Sequence, residues 1–192
     1  MHKKLPKLFI FADRYNSEIF ENNKINIGVI YRNYNCTNRE KELMKIAAIC
    51  KKKRYQLFVS NDIKLTLKAK ADGIYIPSFN SNKNFRNLEK KNLTIIGSAH
   101  NQKEIYEKTL QKCEAIFLSP VFYVKKSKNF LGIHRFNLLS HSGKVKIFAL
   151  GGINEHTLNK IKLLHLSGFG GISMFKKKTG LIKAGFSKNK FF

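Results

Sequence analysis

The sequence predicts an α/β protein built as a single compact (β/α)8 barrel in which some helices are short or missing. Three observations favour this architecture. Eight short apolar runs recur along the 192 residues, each is hydrophobic throughout rather than at alternate positions, and helix-like segments lie between them. A continuous apolar run is typical of a strand that is covered on both faces in a parallel sheet. Eight strands that alternate with helices can close into a barrel.

The predicted strands follow one another from residue 8 to residue 175. In chain order they are Leu8–Ala12, Ile27–Tyr31, Gln56–Val59, Gly73–Ile76, Thr94–Gly97, Ala115–Leu118, Lys146–Leu150 and Gly171–Phe175. A chain of this length is short for eight strand–helix units, so we expect some helices to be reduced. A doubly wound open sheet with the same alternation is the alternative fold.

Apolar residues recur at helical spacing in the longer segments between the strands. The predicted helices are Arg39–Lys52, Lys103–Cys113 and Glu155–Leu166. In the last of them Leu158, Ile161 and Leu164 or His165 form the apolar face, and Asn154 is a candidate N-cap. A shorter helix over Leu65–Ala71 follows the third strand.

The composition indicates one globular domain over residues 1–192, with a basic tail from about 177 to 192. Hydrophobic residues make up 43% of the chain, and no linker rich in Pro, Gly or Ser divides it.

The three cysteines are scattered without metal-ligand spacing. The first apolar run is too short for a signal sequence or a membrane span. We therefore expect a cytoplasmic protein that does not associate with a membrane.

The net charge of +25 suits an anionic partner, since 37 Lys and Arg face 12 Asp and Glu. Lys outnumbers Arg 31 to 6, and 19 residues are Asn, which is the pattern that codon bias produces in an AT-rich genome. A protein that reads nucleic acid favours Arg, whose planar fork matches guanine and phosphate. We therefore expect small phosphorylated molecules as partners and no specific nucleic acid. A homo-oligomer remains possible.

In a barrel, functional side chains follow the carboxyl ends of the strands. Most of the residues there are polar or charged: Asp13, Arg32, Asn61, Asp62, Ser78, Asn80, Ser98, His100 and Lys176. Pro120 and Phe122 follow the sixth strand, and Gly151 and Gly152 follow the seventh. Asp62 could bind Mg²⁺, although Asn61 or Asp62 could equally cap the next helix. His100 could carry a proton, although a lone histidine is commonly structural.

Gly151 and Gly152 end the seventh predicted strand and precede a predicted helix. Glycine lets backbone N–H groups approach an anion at a helix N-terminus, where the helix dipole is positive. Lys176, at the end of the eighth strand, would add an ammonium group. The sequence therefore predicts a phosphate site here, with a simple tight turn as the alternative.

Five segments, ADGIYIPS, IIGSAHN, AIFLSPVF, IFALGGI and SGFGGISMF, resemble the thiamine phosphate synthase and TenI family in the same order and at similar spacing, over roughly residues 8 to 176. The asparagine and aspartate of SNDIKLTLKAKADG strengthen the resemblance. It implies a barrel-shaped transferase of thiamine biosynthesis. Such an enzyme joins a pyrimidine methyl diphosphate to a thiazole phosphate and releases pyrophosphate with the help of Mg²⁺.

The resemblance also implies roles for matching positions. Arg32 and Lys126 would be the catalytic cations, with Arg32 on the diphosphate, and Asp62 would bind Mg²⁺. The substrate-binding positions would be Asn61 and Ser98 for the pyrimidine diphosphate, and Gly151, Gly152, Phe175 and Lys176 for the thiazole phosphate.

Several positions depart from the family pattern. Tyr34 replaces a lysine, Asn80 replaces the second metal-binding aspartate, and Lys126 is shifted by one residue. The segment 75–78 reads Tyr-Ile-Pro-Ser instead of His-Leu-Gly-Gln, and Lys176 replaces a serine. Pro120 agrees with the synthase branch, whereas the TenI branch carries a histidine there. Two alternatives therefore stay open beside the synthase: a catalytically weakened member that binds a thiamine-related phosphate, and a TenI-like thiazole tautomerase in which His100 substitutes as proton carrier.

Overall fold

A computed structural model describes residues 4–17, 20, 26–35, 37–85, 88, 92–125, 127, 129–141 and 145–171. The predicted basic tail at 177–192 lies outside these residues. None of the helices in the described ranges is both long and apolar enough to cross a membrane.

Eight parallel strands form a closed barrel in sequence order. They are β1 (Leu8–Ala12), β2 (Gly28–Tyr31), β3 (Gln56–Ser60), β4 (Gly73–Ile76), β5 (Thr94–Ala99), β6 (Ala115–Leu118), β7 (Lys146–Leu150) and β8 (Gly168–Gly171). The last strand pairs with the first, and Phe9 lies opposite Gly170. This closing pair confirms the predicted barrel and excludes the open sheet.

The eighth strand was predicted too late in the chain. It begins at Gly168, three residues before the predicted start, and the rest of the predicted strand, 172–175, lies outside the described residues. Glycine lowers strand propensity, so the segment GFGG does not resemble a strand when read alone. In the barrel these glycines make room: a Cβ on Gly168 would lie 2.1 Å from the carbonyl oxygen of Lys7 and 2.6 Å from the Phe148 ring.

Aromatic rings fill the barrel interior. Phe9, Phe11, Phe117 and Phe148 are buried there together with Tyr75. The Phe117 ring meets Phe9 and Phe11 edge to face at centroid distances of 5.1 and 5.3 Å. Such geometry is favourable because the positive ring edge faces a negative ring face. The interior is therefore a packed core, and space for a ligand lies at the ends of the barrel.

Four α-helices lie between strands in the described residues: α1 (Arg39–Lys53), α2 (Ile63–Lys68), α3 (Gln102–Leu110) and α4 (Gly132–Ser140). The first and third confirm predicted helices, with their ends within three residues of the predicted ones. The second begins earlier than predicted because Asp62 caps its first turn, and it ends at Lys68 rather than at Ala71. The fourth was not predicted.

The predicted α-helix over Glu155–Leu166 is wrong in type. The structure has a 3₁₀ helix at Leu158–Leu163. The buried side chains of Leu158, Ile161 and Leu164 are spaced by three residues, which matches three residues per turn rather than 3.6. Thr157, not Asn154, is the N-cap residue.

Candidate active site

Two adjoining cavities open at the carboxyl end of the barrel. The small lobe, of about 420 Å³, is lined by aromatic and hydroxyl side chains that include Tyr34, Tyr75, Ser78, Phe79 and Ser98. The large lobe, of about 1090 Å³, is lined by residues that include Lys125, Phe130, Arg135, Gly151 and Gly152. Both lobes share Asp13, Arg32, His100, Ser119 and Leu150. We call the two lobes together the mouth.

The mouth is cationic. Arg32 lies in the wall that both lobes share, and Lys125 and Arg135 line the large lobe. Among the described residues that line either lobe, Asp13 is the sole carboxylate, and it pairs with Arg32 Nε at a distance of 3.7 Å. A guanidinium has five N–H donors, so this one long contact leaves Arg32 capacity to bind an anion.

His100 is held by partners on both ring nitrogens. Its Nδ1 lies 2.5 Å from the carbonyl oxygen of Ser119, and its Nε2 lies 3.1 Å from the hydroxyl oxygen of Ser78. Because a carbonyl can only accept, Nδ1 donates, and in the neutral ring Nε2 then accepts from Ser78. The geometry fixes the ring at the boundary of the two lobes. A proton-carrying role for His100 stays a prediction.

Tyr34, which replaces the lysine of the family pattern, supplies a hydroxyl rather than a charge. Its oxygen lies 2.5 Å from the hydroxyl oxygen of Ser60, and its ring lies 6.1 Å from that of Phe79. Burial raises the pKa of Tyr34 above its ordinary value of 10.0, against the opposing effect of the Ser60 hydrogen bond. The phenol is therefore neutral at physiological pH.

Asp62 has both carboxylate oxygens engaged. Oδ1 accepts from the backbone N–H of Leu65 at 2.9 Å, which caps α2, and Oδ2 accepts from Arg39 Nη1 at 3.1 Å. Arg39 also donates from Nη2 to the carbonyl oxygen of Ser60 at 2.5 Å. The helix-capping alternative predicted for Asp62 is therefore confirmed.

The other polar positions near the carboxyl ends of β3, β4 and β5 are joined to their neighbours. The side-chain amide of Asn80 donates to the Oδ1 atom of Asn61. Asn80 Oδ1 accepts from the backbone N–H of Asn82 at 2.8 Å. Ser98 is almost fully buried and shares a hydrogen bond with Tyr75, whose pKa is raised chiefly by burial. Binding of the pyrimidine diphosphate by Asn61 and Ser98 remains a prediction.

These residues do not fit a magnesium ion at Asp62. Mg²⁺ demands near-octahedral oxygen ligands and usually keeps several waters beside one or two carboxylates. The described residues contain no group of three or more His, Cys, Asp or Glu side chains that could hold a metal. The oxygens of Asp62, Asn61 and Asn80 already accept hydrogen bonds, and a guanidinium stands beside the carboxylate.

Gly151 and Gly152 form a tight turn in the wall of the large lobe. Both have left-handed backbone angles, with φ of 89° and 72°. A Cβ on Gly152 would lie 2.6 Å from the backbone of Phe122. The helix N-terminus predicted next to them is wrong, because the 3₁₀ helix begins six residues later, at Leu158. Phosphate binding by this turn stays a prediction, and no helix dipole supports it.

Three predicted site residues, Lys126, Phe175 and Lys176, lie outside the described residues. The structure also shows two cations that the sequence analysis missed, Arg39 and Arg135. Arginine is scarce here, with 6 in the chain. Arginine suits bidentate contacts with anions and carboxylates. In a chain that otherwise uses lysine for positive charge, each arginine is therefore a candidate for such a contact, and this signal could have pointed to Arg39 and Arg135.

A further basic cavity, of about 1300 Å³, lies at the opposite end of the barrel. It opens beside α1 and α2, near the amino ends of β3 and β4, and its lining includes Lys51, Lys53, Arg54, Lys70 and Asp72. Basic residues near helix C-termini complement the negative end of the helix dipole. We call it the amino-end cavity.

Comparison with known proteins agrees with the family resemblance. The family model described as thiamine monophosphate synthase matches residues 23–176. A thiamine-phosphate synthase of Prochlorococcus marinus subsp. pastoris is 31% identical over 125 residues, which are 64% of this chain and 36% of that protein. A putative thiamine-phosphate synthase 2 of Aquifex aeolicus is 27% identical over 146 residues, 71% of this chain and 77% of that protein.

The fold is similar to that of a thiamine phosphate pyrophosphorylase from Pyrococcus furiosus. The TM-score is 0.72 at 18% identity, over 90% of this chain and 88% of that one. This chain spans little more than a third of the length of the Prochlorococcus relative. Because the family model covers most of the chain, the chain belongs to the thiamine monophosphate synthase family.

Proposed function

We propose that the chain is an enzyme of thiamine biosynthesis, a transferase that joins a pyrimidine methyl diphosphate to a thiazole phosphate. The observation that carries this proposal is the mouth, whose two lobes meet at Arg32. A site that joins two molecules needs two adjoining compartments with the reacting atoms at their boundary. Family membership supports the same reaction.

The two lobes suit the two substrates. The small lobe offers the aromatic rings of Tyr34, Tyr75 and Phe79, against which a flat pyrimidine can pack, and the hydroxyl of Ser98. The large lobe offers Lys125 and Arg135, together with the turn at Gly151 and Gly152, to a phosphate group. A diphosphate that leaves the pyrimidine would lie between them, next to Arg32.

The reaction breaks one bond and forms another. The bond between the methylene carbon and the diphosphate oxygen breaks, and the electron pair leaves with pyrophosphate. The thiazole nitrogen donates its lone pair to the methylene carbon, which produces a thiazolium. Negative charge therefore develops on the departing diphosphate, and a preorganised guanidinium at Arg32 stabilises that charge. No proton transfer is needed for this exchange.

The test is to incubate the purified protein with both substrates and to measure thiamine phosphate as thiochrome fluorescence. We expect product with wild type and at least about a tenfold loss with Arg32→Met, since a charge-assisted contact is removed. Arg54→Met, in the amino-end cavity, is the matched control and should keep wild-type activity.

A second candidate function is supported by Asn80, which departs from the metal-site pattern of the family, and by Asp62, whose carboxylate oxygens already accept hydrogen bonds from Leu65 and Arg39. The chain would then bind a thiamine-related phosphate without turning it over. Absence of product from wild type, together with thiamine phosphate binding in calorimetry that Arg32→Met weakens, would favour this candidate over the synthase.

A further inference from the structure

Arg39 and Asp62 form a compact ion pair where the family resemblance places a metal ion. Arg39 Nη1 lies 3.1 Å from Asp62 Oδ2, and the two side chains are 18% and 29% exposed. A partly buried pair of this kind is screened less by salt and solvent than an exposed one. The carboxylate therefore already has a close cationic partner.

Four further contacts hold Arg39 in place. Its Nη2 donates to the carbonyl oxygen of Ser60, and its own carbonyl oxygen accepts from the hydroxyl of Tyr31 at 3.2 Å. The guanidinium carbon lies 5.8 Å from the Tyr31 ring centroid and 5.7 Å from that of Tyr34, within the range of cation–π attraction. A divalent cation at Asp62 would have to face this guanidinium or displace it from Ser60 and from the two tyrosine rings.

Asn80, at the second metal position of the family pattern, does not supply a free ligand for Mg²⁺ either. Asn80 turns its amide N–H₂ toward Asn61, and its Oδ1 atom is bonded to the backbone of Asn82. An amide nitrogen that donates cannot ligate Mg²⁺, which takes oxygen ligands. Both positions on which a family metal site would depend are thus tied into hydrogen bonds between protein groups.

We propose that this chain binds the diphosphate without a metal ion at Asp62. Arg39 takes the place of the metal as the partner of Asp62, and Arg32 supplies the countercharge in the mouth. The proposal deepens the function proposed above and rests on it for the identity of the diphosphate. Asp62 then acts as a positioning residue, because it caps α2 and holds the guanidinium of Arg39 next to the Tyr34 ring.

Calorimetry with inorganic pyrophosphate tests the proposal directly. Wild type should bind in EDTA with an affinity within about threefold of that in excess Mg²⁺. Arg32→Met should weaken binding in EDTA by about tenfold or more, and Arg54→Met should leave it unchanged. Binding that weakens about tenfold or more in EDTA, or that is undetectable in both conditions, overturns the proposal.

A titration with Mn²⁺ alone, followed by electron paramagnetic resonance, supplies a second readout. Mn²⁺ shares the preference of Mg²⁺ for carboxylate and carbonyl oxygens. Asp62→Asn keeps an oxygen that can cap α2 but removes the charge, so it is the matched variant. We expect equal Mn²⁺ binding by wild type and Asp62→Asn. A site in wild type that Asp62→Asn removes contradicts the proposal.

The two proposals fail in different ways. If pyrophosphate binding needs Mg²⁺ while thiamine phosphate is formed, the synthase function stands and metal-independent binding is wrong. If pyrophosphate binds in EDTA but no thiamine phosphate is formed, metal-independent binding stands and the synthase function is wrong.

Discussion

Lys108 donates a hydrogen bond of 2.7 Å from its Nζ atom to the carbonyl oxygen of Asn80, although the Lys108 side chain is fully buried. Its Nζ also donates to Gln111 Oε1, and Gln111 Nε2 donates to the carbonyl oxygens of Asn80 and Asn82. These hydrogen bonds attach helix α3 to the segment that follows β4. That segment contains Asn80, whose side chain donates to Asn61. Burial lowers the pKa of Lys108.

Replacing this lysine should destabilise the protein. Lys108→Met keeps the length of the side chain but removes its donors, so the acceptors on Gln111 and Asn80 each lose a partner. We expect the free energy of unfolding in urea to fall by about 1–3 kcal/mol. Lys103→Met, at an exposed position of the same helix, is the control and should change it by less than about 0.5 kcal/mol. Equal effects would contradict the anchoring role.

Substitutions at two glycines distinguish the cost of backbone strain from the cost of a steric clash. Gly132 has φ of 68° and open space around the position of a Cβ, whereas a Cβ on Gly152 would meet the backbone of Phe122 at 2.6 Å. Gly132→Ala should lower the free energy of unfolding by about 1–2 kcal/mol, the cost of a left-handed residue. Gly152→Ala should cost clearly more because the loop after β6 must also move. Urea unfolding of both variants checks this, and a smaller cost at Gly152 would be inconsistent with the tight turn.

The buried thiol of Cys50 makes stability sensitive to alkaline pH. Burial, with a smaller contribution from Asp72, raises the pKa of Cys50 from 9.0 to about 12. In the unfolded chain the thiol loses its proton near pH 9, while in the folded chain it keeps it. The contribution of the protonated Cys50 thiol to the free energy of unfolding is therefore fully present below about pH 9. It is lost as the pH rises toward 12.

The wild-type protein should lose about 1 kcal/mol from this thiol between about pH 9 and pH 10, a loss that Cys50→Ala should lack. Urea unfolding of both proteins at the two pH values measures the difference. Parallel loss in wild type and variant would show that other groups cause the alkaline instability.

The large positive charge should not make the protein a specific nucleic-acid binder. We expect binding to random duplex DNA to be weak and to vanish at physiological salt, because released counterions drive such binding. Fluorescence anisotropy with a labelled duplex over a salt series measures this. Tight binding that persists at physiological salt would revive the nucleic-acid hypothesis.

The sequence predicted the barrel because seven of its eight strands, β1 to β7, are local apolar runs that can be recognised without knowing their partners. The start of β8 was missed because Gly168 is explained by a distant residue, Phe148, whose ring occupies the space that a side chain at position 168 would need. The 3₁₀ helix was taken for an α-helix although Leu158 and Ile161 already showed a spacing of three.

The site was predictable where one residue acts on its own neighbours. The cap by Asp62 is such a case, because the carboxylate bonds to Leu65 three residues later. The pairing of Asp62 with Arg39 was not predictable, since the two residues lie 23 positions apart and meet only when α1 docks beside β3. Such a long-range contact can give a motif residue a partner other than the one that the family pattern implies, as Arg39 does for Asp62.

The central claim is that phosphorylated ligands bind at the carboxyl end of the barrel. Titration of inorganic pyrophosphate into ¹⁵N-labelled protein, followed by two-dimensional NMR, tests it most directly. We predict the largest amide shifts at Arg32, Ser98, Gly151 and Gly152, which line the mouth. Largest shifts in the amino-end cavity, around Arg54 and Lys70, would contradict the claim.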